Sequence, residues 1–118
     1  MIDEYTYGCF VVQGKQFLGD LKIQNNKPHY WQELTDRKLR TDHINSLLLE
    51  NPDVFIIGTG AGGLLDVDEI VRNHLQLWVL NSRQKPQYHI LKNIDAIKLV
   101  NKSIEQGQNV CAVLAGGC

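Results

Sequence analysis

The sequence predicts one α/β domain, a mixed sheet covered by helices and preceded by a β-hairpin region. Three observations carry this. The first third of the chain alternates apolar and polar residues between turn formers. The run Val54-Phe55-Ile56-Ile57 has the length and continuity of a strand covered on both faces. From Thr41 onward helical and strand patterns take turns, the order that a sheet with crossover helices produces.

Taken in order, Tyr5 to Val12 is β-rich and Gln13-Gly14-Lys15 can turn, after which Phe17, Gly19, Leu21 and Ile23 share one face. This is the N-terminal β-hairpin. Asn25-Asn26-Lys27-Pro28 supplies the next turn, His29-Tyr30-Trp31 a short strand, and Thr35 to Arg40 a surface loop. Thr41 or Asp42 caps a helix carrying Ile44, Leu47 and Leu48, which Asn51-Pro52 ends. After the buried strand, Asp66 and Glu69 have capping-box spacing for a helix with Val67, Ile70, Val71, His74, Leu75 and Trp78 at helical intervals. Leu77 to Leu80 fits either the end of that helix or a buried strand; the longer helix is the expectation, followed by a loop from Asn81 to Pro86. Tyr88 to Leu91 is a strand, Asn93 caps a helix with Ile97, Val100 and Ile104, Gly107 ends it, and Val110 to Leu114 is the last strand.

The length of 118 residues fits one core, so residues 1–118 are expected to form a single domain. Twelve basic and thirteen acidic side chains leave a net charge of −1, which lacks the concentrated positive field of a general nucleic-acid or anionic-membrane binder. No apolar run approaches the roughly 18 residues that cross a bilayer. Met1 to Tyr5 is acidic and has no apolar signal core, so the expected location is cytoplasmic. Cys9, Cys111 and Cys118 are odd in number and widely spaced, unlike a disulfide framework or a zinc site. Cys9 and Cys111 are read as packed thiols. Cys118, beside the terminal carboxylate, is expected to have a raised pKa and to be a poor nucleophile.

One loop has the form of a binding motif. Gly58-Thr59-Gly60-Ala61-Gly62-Gly63 satisfies G-x-G-x-x-G after a strand and before a helix, the setting in which backbone amides and a helix end hold a dinucleotide pyrophosphate. Against that, Asp66, Asp68 and Glu69 place carboxylates near the phosphate position. At about 7 Å in water each opposes a phosphate charge by roughly 0.6 kcal/mol, so the three largely cancel the helix-end benefit. Asn81 stands where an acidic residue would hold a ribose hydroxyl, and the chain is too short for two mononucleotide-binding halves. The preferred reading is a tight packing turn, with a nucleotide or other small ligand as the alternative.

The remaining candidates are weaker. His29, His43, His74 and His89 lie far apart without ligand spacing, so no metal site is expected. His43 sits beside Asp42 at a helix start and could act as a base, but no nucleophile accompanies it; a capping role is preferred. Tyr30 and Trp31 near Arg37, Lys38 and Arg40 are read as core or subunit-contact aromatics, because Glu33, Asp36 and Asp42 dilute the positive patch.

The chain resembles the small family that includes the adipogenesis-associated domain protein, mitochondrial complex I assembly factor three, and uncharacterised archaeal and bacterial homologues. The likeness is carried by Tyr7-Gly8 with Gly14 and Asp20, by His43, by Ile56-Ile57-Gly58-Thr59-Gly60, and by Asn93-Ile94-Asp95-Ala96-Ile97 with Asn101, Gly107 and Val110; Leu77 to Gln87 looks like an insertion. The resemblance implies a three-layer α/β fold with a central mixed five-stranded sheet, no established catalytic residue, and roles in assembly or regulation. The expected function is therefore a non-enzymatic interaction or assembly domain with a protein partner and no cofactor. The alternative is a small-ligand or nucleotide-binding protein using residues 58–63 with His43.

Overall fold

The computed structural model describes all 118 residues. Its first element is a three-stranded antiparallel sheet of β1 (Ile2–Thr6), β2 (Cys9–Val12) and β3 (Lys15–Leu18), in that spatial order. The stretch from Tyr5 to Val12, expected as one strand, is thus two. The alternation of Tyr5, Tyr7, Cys9 and Val11 runs through the break, but Gly8 takes φ of 81° and turns the chain back so that Thr6 faces Cys9. The shared face of Phe17, Leu21 and Ile23 survives in burial, yet Gly19 divides it between β3 and β4 (Asp20–Gln24).

β4 opens the second sheet. It pairs with β5 (Lys27–Trp31) through a turn in which Asn25 and Asn26 both have positive φ, 49° and 68°. Its other edge pairs antiparallel with β8 (Val110–Leu114), which runs parallel to β6 (Val54–Gly58), itself parallel to β7 (Gln87–Leu91). The order β5-β4-β8-β6-β7 is the expected five-stranded mixed sheet.

The helix expected from Thr41 is shorter and split: a 3-10 turn at Thr41–His43 precedes a one-turn helix, α1 (Asn45–Leu48). Neither Thr41 nor Asp42 caps it. The Arg40 N–H donates to His43 Nδ1 at 2.9 Å, and Ile44, with φ of −119°, interrupts the helical run. α2 (Glu69–Asn81) is the longer helix that Leu77 to Leu80 allowed. Its cap is Asp68, whose Oδ1 accepts the Val71 N–H at 3.2 Å, and not Asp66. Asp66 is held in a bridge to the 37–39 segment, donating its N–H to Arg37 and accepting the N–H of Leu39. α3 (Asn93–Glu105) follows β7 and stops at Gly107. Asn93 was expected as its cap; it is the first helical residue, and its side chain turns inward.

Alternation along β6 and β8 builds the layers. Phe55, Ile57, Cys111 and Val113 face α1 and α2, packing with Leu47, Leu48, Val71 and Leu75. Val54, Ile56, Val110, Ala112 and Leu114 face α3 and the three-stranded sheet, packing with Ala96, Val100, Ile2, Phe10 and Phe17. Both faces of the central strands are therefore dry, as the unbroken apolar run at 54–57 requires, and each such side chain contributes about 1.5–3 kcal/mol. No helix is long and apolar enough to cross a membrane.

Candidate functional site

Helices α2 and α3 lie on opposite faces, so β6 and β7 send the chain to opposite sides of the sheet. In open α/β sheets the crevice outside the carboxyl ends of such strands is where ligands bind. Three segments meet there: the loop Gly58–Gly63, the turn Leu91–Asn93, and Ala115–Cys118.

Hydrogen bonds of the chain itself fill the crevice. Thr59 donates both its N–H (2.8 Å) and its Oγ1 hydroxyl (3.1 Å) to the Leu91 carbonyl. The Gly60 N–H donates to Asn93 Oδ1 at 3.0 Å, the Asn93 N–H returns a bond to the Gly60 carbonyl at 3.0 Å, and Asn93 Nδ2 donates to the Ala115 carbonyl at 2.7 Å. The Gly62 N–H donates to the Cys118 carbonyl at 3.2 Å. Amides that a phosphate would need are thus engaged by the 91–93 turn and the 115–118 segment.

The 115–118 segment is held equally firmly from the hairpin side. Asp20 Oδ1 accepts the Gly116 N–H at 2.8 Å, and the Gly116 carbonyl accepts from the Gly8 N–H (2.8 Å) and the Tyr5 hydroxyl (2.9 Å). The Tyr7 hydroxyl donates to the Gly117 carbonyl. The Tyr5 ring stacks on Phe10 at 4.6 Å between centroids.

This packing explains the glycines. A methyl group on Gly60, whose φ is 101°, would overlap Cys118, and one on Gly58 would meet Asn93 Oδ1 and Leu114. One on Gly62 would lie 3.3 Å from the Cys118 carbonyl oxygen, a tight but adjustable contact. The close approach these residues permit is to the chain itself, to side chains at Gly58 and to the Cys118 backbone at Gly60 and Gly62. Nor does the loop run straight into a helix: α2 begins at Glu69, six positions past Gly63, with Asp68 occupying its first amides and pairing with Lys38 at 3.3 Å.

His43 is not part of this cluster. Its Nδ1 is bound by the Arg40 N–H and its ring meets the edge of Trp31 at 6.1 Å, and none of its hydrogen bonds reaches residues 58–63. Tyr5, Asp20 and the inward Asn93, which sequence reasoning did not assign to the site, are its principal side chains. In the sequence, Asp20 and Asn93 stand out as residues that carry the family resemblance, and Tyr5 does not stand out at all.

Burial sets the local electrostatics. It raises the Asp20 carboxyl above its ordinary value, partly offset by the Gly116 N–H. It raises the Tyr5 hydroxyl, against the Asn93 side chain and the Ala61 backbone. Cys118 is raised as expected, but chiefly by burial; Arg37 lowers it and Asp20 raises it further. Cys111 is a buried thiol raised by the same effect, and Cys9 is half-buried with Sγ 3.9 Å from the Phe10 carbonyl.

Of four open hollows on the surface, the two largest are grooves beside helices. One, of about 660 Å³, lies between α1 and α2, lined by Leu48, Leu49, His74, Leu77 and Trp78 with a rim that includes Asn45 and Asn81. The other, of about 460 Å³, lies between β1 and α3, lined by Asp3, Glu4, Tyr5, Ile94, Ile97 and Lys98, with Ala61 of the glycine loop at one end.

Topology and site together define a small three-layer α/β domain whose switch-point crevice is closed by its own backbone. Residues 2–115 match the protein family of unknown function DUF498/DUF598, and the chain belongs to that family. None of the curated proteins matches it. Among solved structures it is similar to a conserved hypothetical protein from Pyrococcus horikoshii, 20% identical with a TM-score of 0.80 over 100% of this chain and 99% of that one. It is similar to MT938, also 20% identical, with a TM-score of 0.75 over 100% and 98%. A Mth938-like domain from Bordetella pertussis is 16% identical with a TM-score of 0.64 over 98% and 85%. The shared fold therefore extends to archaeal and bacterial proteins, as the resemblance in sequence implied.

Proposed function

We propose that the chain is a non-enzymatic interaction domain, in an assembly or regulatory role, that docks an amphipathic helix of a partner protein in the α1–α2 groove. The observation that carries this is the apolar surface left uncovered in the groove. From α2 come Leu77, 58% exposed, and the half-buried Trp78, and across the groove Leu49 is 80% exposed. α1 is a single turn, so it covers only part of the 13-residue length of α2. A trough between two helices, apolar at its floor and rimmed by asparagines, fits the ridge of a third helix.

The test is affinity capture from native extract with the wild-type chain, Leu77→Asp, Leu49→Asp and, as a control at an exposed residue outside both grooves, Leu18→Asp. The reading expects one partner retained by wild type and control and lost from both groove variants. A partner retained by all four, or none at all, overturns it.

The second reading, a small-ligand or nucleotide-binding protein using Gly58–Gly63 but without the distant His43, is supported by Ala61 bordering the second groove. It expects a thermal shift with NAD, NADP, FAD or ATP, equivalent to about 2.7 kcal/mol at a hundred times the dissociation constant. The interaction reading expects flat curves.

A further inference from the structure

We propose that the groove between β1 and α3 is a second docking site, which takes an extended peptide segment of a partner and pairs one of its residues, in antiparallel-strand fashion, with the backbone of Tyr5 on the open part of the β1 edge. The inference is independent of the α1–α2 reading. It rests on where the backbone groups of β1 point.

β1 is an edge strand, paired with β2 alone. Val12 and Lys15 flank the two-residue turn Gln13-Gly14, in which both residues have positive φ, so they form a hydrogen-bonded pair. Alternation then directs the backbone groups of Val12 and Phe10 towards β3, and those of Val11 and Cys9 towards β1. Their partners Glu4 and Thr6 are thereby satisfied. Tyr5, opposite Phe10, directs its N–H and C=O the other way, towards α3.

Ile2 points the same way, and there the fold supplies the missing strand with a side chain. The Ile2 N–H donates to Asn101 Oδ1 at 2.9 Å, and Asn101 Nδ2 donates to the Ile2 carbonyl at 2.9 Å. One carboxamide thus does what a residue of a neighbouring strand would do. From Ile2 to Tyr5 the strand rises about 10 Å, and from Asn101 back to Ile94 the helix rises about 10 Å, so β1 and α3 run side by side over this length. At the Tyr5 end, however, α3 presents no amide. It presents Ile94, 65% exposed, and Ile97, and the space between is the 460 Å³ groove.

A paired donor and acceptor at strand spacing, facing an apolar wall, is the chemistry that a peptide backbone with one inward apolar side chain satisfies. The charges refine the occupant. Asp3 and Glu4 line the strand wall and Lys98 the helix wall, so a basic residue flanking the apolar one is favoured on the β1 side.

The experiment is a screen of the full chain against a phage-displayed random octapeptide library, followed by an N-methyl scan of the best peptide. The proposal expects peptides with an apolar residue next to a basic one. It expects Ile94→Asp to weaken binding at least about tenfold, and N-methylation at one position, with its neighbours unaffected, to do the same. The Tyr5 amide gains protection from hydrogen exchange on binding. Because N-methylation alters the peptide and not the protein, it decides the matter even should Ile94→Asp fail to fold. Uniform tolerance of N-methylation, or no retained peptide, would overturn the proposal. So would peptides sensitive to Leu77→Asp and insensitive to Ile94→Asp, an outcome that leaves the α1–α2 reading standing.

Discussion

Asn93 and Gly60 are bound to each other twice, the Asn93 N–H donating to the Gly60 carbonyl and the Gly60 N–H donating to Asn93 Oδ1, both at 3.0 Å. The remaining amide of the same side chain reaches Ala115. One fully buried carboxamide therefore ties the end of β6 to the start of α3 and to the exit of β8.

Removing it leaves two buried backbone groups without partners. Asn93→Ala is expected to lower the free energy of unfolding by about 2–4 kcal/mol, read from urea denaturation. Asn93→Asp is expected to destabilise as well, because it sets a carboxylate oxygen against the Ala115 carbonyl. A loss below 1 kcal/mol in Asn93→Ala would mean that the crevice is not held this way.

The glycines of the loop separate by what they touch. Gly60→Ala combines a positive φ with overlap on Cys118, and is expected to cost at least about 2 kcal/mol in thermal or chemical unfolding. Gly62→Ala, with only a 3.3 Å contact to relieve, is expected to cost less than about 1 kcal/mol. Deleting residues 117–118 is expected to recover part of the Gly60→Ala loss, the part due to overlap, and to leave the conformational part. Equal costs at both glycines would count against the packing explanation.

The Asp20 carboxyl has its pKa raised by burial above the unfolded value near 3.8. The folded state then holds the proton more tightly than the unfolded one. Its effect on stability is accordingly least favourable once pH has risen through the folded value, and is relieved below 3.8. Asp20→Asn keeps an acceptor for the Gly116 N–H without the charge. It is expected to raise the melting temperature on the order of 2 °C at neutral pH, with the gain vanishing below pH 4. A variant less stable than wild type at neutral pH would contradict the sign.

Burial disfavours the thiolates of Cys111 and Cys118. Iodoacetamide at neutral pH is expected to modify Cys118 more slowly than an unstructured peptide cysteine, and Cys111 only on unfolding. Mass spectrometry of partially alkylated protein orders the sites directly, and rapid labelling of Cys111 in the native protein would contradict its packing.

The layered fold was legible because burial writes itself into local pattern. Val54 to Ile57 announced a strand covered twice, and the helical period held from Ile70 through Leu80 despite the strand-like composition of its end, although Val67, on the same spacing, precedes the helix. Ile70, on the same period, proved to be outward, because period alone does not say how wide the covered stripe is. Asn93 departs from its local pattern for a different reason. An asparagine at a helix start ordinarily caps, and its inward turn depends on Gly60 and Ala115, which are 33 and 22 positions away. The glycine motif likewise matched a pattern whose meaning lies in its contacts, and those are made by the 115–118 segment.

The position of β8 has a consequence for synthesis. Of the eight strands described it is made last, yet it lies at the middle of the sheet, between β4 and β6. Until Val110–Leu114 emerges, the β1–β5 unit and the β6–β7 pair have no shared strand and expose the two edges that β8 will join. The five-stranded sheet is thus completed only after this segment has emerged, by pairings that reach back over most of the chain.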